Sequence, residues 1–166
     1  MLFEATGKRT PSAGKGKGVS RMNNGERQSD IRQTILVVDN LDDFRHTISS
    51  WLTRQGYRVI EADSGRQAVE VAERERPDLI LMDIKMPGED GLSAARRLRE
   101  SAELSKVPIV AVSADATEYY KKAARDVGFS RYLTKPVEPD ELREILDDLL
   151  PRARAKGAGE IAGPEK

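Results

Sequence analysis

The sequence predicts an α/β fold: a doubly wound, five-stranded parallel sheet with five helices packed on its two faces. Three observations lead there. Five short runs rich in Val, Ile and Leu recur between residues 34 and 150. A segment of helical period follows each run. Several runs carry apolar residues on consecutive positions, as strands buried on both faces do. Alternation of this kind requires right-handed crossovers between parallel strands.

The elements follow in order. Thr34–Asp39 (TILVVD) is the first strand. Asp42 to Gln55 is helical, because Phe44, Ile48, Trp51 and Leu52 form one apolar stripe, and Gly56 stops it. The stripe assigns Trp51 to the core. Tyr57–Glu61 is the second strand, ending in nothing distinctive. Ser64 caps a helix over 65–75 that turns Ala68, Val69 and Ala72 inward. Asp78–Asp83 is the third strand, and Asp90–Ser101 a helix with Leu92, Ala95 and Leu98 on one face. Pro108–Val112, then a helix over Ala116–Val127 closed by Gly128, then Arg131–Thr134 continue the alternation. Glu138–Leu150 is the last helix, striped by Leu142, Ile145, Leu146 and Leu149.

The chain has 166 residues, 28 basic and 28 acidic, one His and no Cys. It is not a uniformly basic nucleic-acid coat, and no disulfide scaffold is available to it. No apolar run approaches the length that spans a bilayer, and the N-terminus lacks the apolar stretch of a secretory signal, so the expectation is a cytoplasmic protein. The zero net charge hides an asymmetry. Residues 1–33 carry a net of +4, residues 151–166 a net of +2, and residues 34–150 a net of −6. Both ends lack periodic apolar residues and read as disordered tails, the first one basic. GKGKG near the N-terminus has neither the spacing nor the preceding strand of a phosphate-binding loop.

In an open parallel sheet ligands bind beyond the carboxyl ends of the strands. The first strand ends at Asp39-Asn40, the third at Asp83, the fourth at Ser113 and the fifth at Lys135-Pro136. Taken singly, these are a helix-start acid, a cap and a solvated cation. Taken together they bring carboxylates, a hydroxyl and an ammonium to one rim. Carboxylate oxygens suit Mg²⁺. An Asp can attack phosphorus and form an acyl phosphate, whose added charge calls for a cation and a hydrogen-bond donor, here Lys135 and Ser113. Asp42 and Asp43 read as first-turn helix acids. His46 lies off the apolar stripe and faces solvent.

These segments resemble the receiver domain of bacterial two-component response regulators, of the stand-alone, single-domain type. ILVVDN, LILMDIKMPGEDG, VAVSADA and YLTKP carry the resemblance, which covers essentially all of 34–150. It implies a flavodoxin-like sheet of order 2-1-3-4-5. It implies Asp83 as phosphoacceptor, with Ser113 and Lys135 assisting. It implies Mg²⁺ held by Asp39, Asn40, Asp83 and the main-chain carbonyl of Lys85, and a cis Lys135–Pro136 bond. Ser113 and Tyr132 are then the switch pair. The partners implied are a sensor histidine kinase or phosphotransfer protein and an unidentified downstream protein. The latter would read the face made by the fourth helix, fifth strand and fifth helix. Neither direct DNA binding nor a membrane belongs to this reading, and no output domain is expected after residue 150. Its role is that of a signalling domain, not an enzyme, beyond assisting its own phosphorylation and dephosphorylation.

One departure stands out. The family usually has two consecutive acids where this chain has Asp39-Asn40. An amide oxygen can still coordinate, but its formal charge is gone. Weakened Mg²⁺ binding is therefore expected, with Asp42 or Asp43 as an alternative source of the missing charge. A second reading follows: a degenerate receiver that binds a partner without cycling phosphate. A small hydrolase turning over an aspartyl phosphate is a third, but no lid or further catalytic acid motif accompanies it.

Overall fold

A computed structural model describes residues 32–150. The elements alternate as the sequence predicts: β1 (Thr34–Val38), α1 (Asp42–Arg54), β2 (Arg58–Ala62), α2 (Gly65–Glu75), β3 (Leu79–Asp83), α3 (Gly91–Glu100), β4 (Ile109–Ser113), α4 (Glu118–Val127), β5 (Arg131–Thr134) and α5 (Pro139–Leu149). All strand pairs are parallel, and the order is β2-β1-β3-β4-β5. The segments read as tails, 1–33 and 151–166, lie outside the described residues save for Arg32 and Gln33. The Gln33 carbonyl accepts the Arg58 N–H at 3.0 Å, so backbone pairing begins one residue ahead of β1.

The sheet explains the residue types of its strands. β1, β3 and β4 are buried at every position, as interior strands covered on both faces must be. β2 and β5 form the edges and are only partly covered. Successive side chains face opposite ways. Leu36, Val38, Ile80, Met82 and Ala111 pack with the apolar residues of α2, α3 and α4. Ile35, Val37, Leu79, Leu81 and Val112 pack with α1 and α5.

Boundaries differ from the sequence reading by a residue or two, for identifiable reasons. The Tyr57 N–H bonds the Leu52 carbonyl and finishes the turn after α1, so β2 starts at Arg58. Asp115 Oδ1 accepts the Thr117 N–H at 2.9 Å, and this turn delays α4 to Glu118. Ser64 caps α2 and Asp90 caps α3 through their side chains. Trp51 corrects the sequence reading: it is half-buried rather than a core residue, with the Arg143 guanidinium 5.6 Å from its ring centre. The α1 stripe tilts so that Leu52 alone of its four apolar residues is fully enclosed.

α3 begins against the strand that precedes it. The Gly91 N–H bonds the Ile84 carbonyl at 2.9 Å. A Cβ on Gly91 would lie 2.1 Å from the Asp83 carbonyl oxygen. Backbone, not a flexible side chain, blocks that space. Gly91→Ala is expected to cost about 3 kcal/mol in urea unfolding, the upper range for overpacking, and to displace the Asp83 main chain. A variant with natural stability would show that the start of α3 yields freely.

Candidate functional site

Strand order reverses between β1 and β3, which places the ends of these two strands side by side although they are far apart in sequence. Asp39 follows β1 directly and is 1% exposed. Its Oδ1 accepts the Leu41 N–H at 2.8 Å, which fixes the turn into α1. Asp83 ends β3 and is 5% exposed, its Oδ1 accepting the Lys85 N–H at 3.1 Å. Lys135 arrives from the end of β5, where its N–H bonds the Ser113 carbonyl at 2.9 Å. The Lys135–Pro136 peptide is cis. Lys135 Nζ stands 2.6 Å from Asp39 Oδ2 and 3.4 Å from Asp83 Oδ2.

Ser113, at the end of β4, is wholly buried, and its Oγ accepts the Asp115 N–H at 3.2 Å. The Asp115 carbonyl in turn accepts the Tyr132 hydroxyl, and its carboxylate pairs with Lys85 Nζ at 2.6 Å. Lys85 Nζ also lies 4.5 Å from the Tyr120 ring centre, which ties the loop after β3 to α4. On the opposite flank the buried Arg45 donates to the Asp39 carbonyl at 2.7 Å and pairs with Asp42 and Glu61.

Each charge has an identifiable source of stabilisation or strain. Burial pushes the Asp83 carboxyl above its ordinary range; Lys135 opposes the shift and Asp39 adds to it. The Lys85 ammonium and the Thr117 amide hold Asp115 down at about 2. Burial raises the Tyr132 phenol, partly offset by Ser113. Burial also opposes the Arg45 charge, but Asp42 and Glu61 outweigh it and hold that guanidinium above its ordinary value.

Two buried carboxylates share one ammonium, leaving a net of one negative charge. Every candidate donor is a hard oxygen: Asp39, Asp83, the Asn40 amide and the Lys85 carbonyl. This chemistry fits Mg²⁺. The set is nonetheless lean. Among the described residues no group of three His, Cys, Asp or Glu side chains is placed to hold a metal ion, and the residue after Asp39 is Asn40. The Asp42 carboxylate pairs with Arg45. Asp43 is exposed on the first turn of α1.

Asp39, Asp83, Ser113 and Lys135 thus converge as the strand-end rule predicts, with Asn40, Lys85 and Tyr132 around them. His46 is exposed, 3.5 Å from Glu61. Sequence reasoning missed Arg45 and Glu61, and the end of β2 is distinctive after all: Glu61 holds Arg45 against the β1 terminus. It also missed the link of Lys85 to Asp115. Phe44, read only as an apolar stripe residue, puts its ring 4.3 Å from Lys135 Nζ.

The direction of the Asp83 shift has a consequence for stability. The folded state binds that proton more readily than the unfolded chain, so the contribution is complete below the ordinary carboxylate range and is lost as pH rises through the folded pKa. In metal-free buffer, Asp83→Asn is expected to resist urea better than the natural protein at pH 7. The gap should close as pH falls towards about 4. A natural protein at least as stable as the variant at pH 7 would contradict this account.

The family model described as the response regulator receiver domain matches residues 35–147. Protein PilH of Pseudomonas aeruginosa is 35% identical over 116 residues, 70% of this chain and 96% of PilH. Sporulation initiation phosphotransferase F of Bacillus subtilis is 29% identical over 121 residues, 73% of this chain and 96% of that protein. Among solved structures, the receiver domain of sensor histidine kinase PA1611 of Pseudomonas aeruginosa, with magnesium coordinated in its active-site cleft, is 38% identical. It aligns with a TM-score of 0.67 over 71% of this chain and 97% of its own. Chemotaxis protein CheY4 of Vibrio cholerae, 28% identical, aligns with a TM-score of 0.69 over 72% of this chain and 99% of its own. The family match runs through nearly all of the described residues, and the strand order agrees with it: the chain belongs to the response regulator receiver domain family.

Proposed function

We propose that Asp83 accepts a phosphoryl group from a sensor histidine kinase or phosphotransfer protein. The modified chain then signals to a downstream protein through the face formed by α4, β5 and α5. The observation that carries the reading is the ammonium of Lys135 set between the buried carboxylates of Asp39 and Asp83. An Asp83 oxygen attacks phosphorus, the bond from phosphorus to the donor nitrogen breaks, and the electron pair leaves with the donor. Lys135 exchanges its Asp83 partner for a phosphoryl oxygen. Ser113, whose Oγ accepts from Asp115, would turn its hydroxyl hydrogen to donate to a second oxygen. Tyr132 follows Ser113 inward and alters the β5 surface.

Asp39, Asn40, Asp83 and the Lys85 carbonyl would hold Mg²⁺. When bound, it neutralises charge that gathers on the phosphoryl oxygens. The reading carries with it a cytoplasmic location, and among the described residues no helix is long and apolar enough to cross a membrane. No binding to DNA is part of it, and the chain's chemistry is confined to its own phosphorylation and dephosphorylation.

Incubation with acetyl phosphate and Mg²⁺ is expected to add one phosphoryl mass that hydroxylamine removes and that Asp83→Ala abolishes. No added mass would sink the phosphoacceptor reading. Continuous turnover of acetyl phosphate would instead favour a hydrolase.

Asn40 favours a second reading, a receiver that engages its partner without phosphate. A carboxylate close to a metal ion attracts it by a few kcal/mol more than a neutral amide does, at an effective dielectric of about 20 and before rearrangement reduces the difference. Asn40→Asp is therefore expected to tighten Mg²⁺ binding about tenfold by calorimetry. Equal affinities would mean that the amide costs the site nothing, and the second reading would lose its support.

A further inference from the structure

Lys135 has a third neighbour that neither carboxylate chemistry nor a metal accounts for. Phe44, on the first turn of α1, is half-buried beside the core of the α1 and α5 face. Its ring centre lies 4.3 Å from Lys135 Nζ, well inside the range at which an aromatic face attracts a cation. An ammonium has three N–H donors and accepts nothing. Asp39 takes one at 2.6 Å and Asp83 lies in reach of another at 3.4 Å. The ring supplies electron density on a further side. The Lys135 side chain is 14% exposed, so little water competes, and cation–π attraction is strongest when desolvated.

The three neighbours differ in what happens to them during the proposed reaction. A divalent cation would draw on the oxygens of Asp39 and Asp83. Phosphoryl transfer turns the Asp83 carboxylate into an acyl phosphate and moves its charge outward. Both changes weaken the bonds that now hold Nζ. Neither touches the ring. Lysine is a compact charge on a flexible stem, and it must stay at the rim while its anionic partners are exchanged.

We propose that Phe44 is a positioning residue for Lys135: its ring holds the ammonium over the cleft while Nζ passes from the carboxylates to the phosphoryl group. The proposal rests on the phosphoacceptor reading for its kinetic consequence, but not for the ring–ammonium pairing itself. An aliphatic residue at position 44 would fill the same apolar space without attracting the cation. The ring borders an apolar cavity of about 10 Å³, shared with Val37, Leu81, Val112, Leu133 and Leu142. Leucine is smaller than phenylalanine and enters this apolar space without overpacking.

The test uses the full chain with Phe44→Leu, and a series in which position 44 carries mono-, di- or trifluorinated phenylalanine. Fluorine drains charge from the ring face and barely alters its shape. The Hε protons of Lys135 in the metal-free protein are expected upfield of an ordinary lysine, through the ring current, and to return to the ordinary position in Phe44→Leu. With acetyl phosphate at saturating Mg²⁺, Phe44→Leu is expected to be phosphorylated about tenfold more slowly, and the fluorinated chains to slow stepwise with each fluorine. Lys135 resonances indifferent to Phe44→Leu overturn the proposal. So does a labelling rate that is flat across the fluorinated series. If the natural protein takes no phosphoryl group at all, the phosphoacceptor reading fails, and the ring-current shift alone decides whether Phe44 holds Lys135.

Discussion

One interaction organises this molecule: a single ammonium clasped between two carboxylates that the fold has taken out of water. Like charges buried side by side repel, and each alone would carry a desolvation cost of several kcal/mol. The sheet order makes the encounter unavoidable. Asp39 and Asp83 end adjacent strands because β1 pairs with β3, and Lys135 ends β5, two strands further on. Its four-carbon stem reaches back across the end of β4, where Ser113 is small and fully enclosed. An arginine would present a planar fork and a shorter aliphatic stem, with different demands on the space between the carboxylates. The residue types at four strand ends are thus one solution to one electrostatic problem.

Around that triad Lys85 is balanced by Asp115, while Arg45 faces two acids, Asp42 and Glu61. The triad itself, two carboxylates and one ammonium, carries a formal net charge of minus one. A second acid at position 40 would have made it minus two. By charge alone, an amide at position 40 would draw a cation in less strongly than an acid and would repel an anionic phosphoryl group less.

Much of this was readable from the residues alone, and the parts that were not share a cause. The strands were legible because Val, Ile and Leu on consecutive positions have few other uses, and the site because strand ends in a parallel sheet are where function gathers. The strand order came from family resemblance, since alternation fixes handedness but not order. Arg45 was invisible because a charged residue on a helix ordinarily faces water. Its burial depends on Glu61, sixteen positions away on another element. Arg99 was invisible for the same reason: it has four carbonyls as partners, those of Leu104, Ser105, Val107 and Gly128, and burial lowers its pKa. Trp51 failed in the other direction. Periodicity identifies the apolar face of a helix but not which of its residues lies at the rim. Phe44 shows the same limit, because an apolar stripe does not reveal that one of its rings meets a cation.

Asp115 shows how a change at Asp83 can leave the cleft. Its main-chain N–H is held by Ser113 Oγ, its carbonyl by the Tyr132 hydroxyl and its carboxylate by Lys85. A serine hydroxyl can donate while it accepts, so a new bond from Ser113 to a phosphoryl oxygen does not by itself release Asp115. Release follows only if Oγ moves beyond hydrogen-bond range of that N–H, and the bond begins at 3.2 Å, already near the long end. A small displacement of Ser113 therefore suffices. The freed amide belongs to the turn that starts α4, and the same residue carries the acceptor that fixes Tyr132 on β5. Under the proposed function, a shift of this buried hydroxyl would reach α4 through the turn and β5 through Tyr132. On the far side, the bond from Lys85 to Asp115 anchors the turn to the loop that follows Asp83.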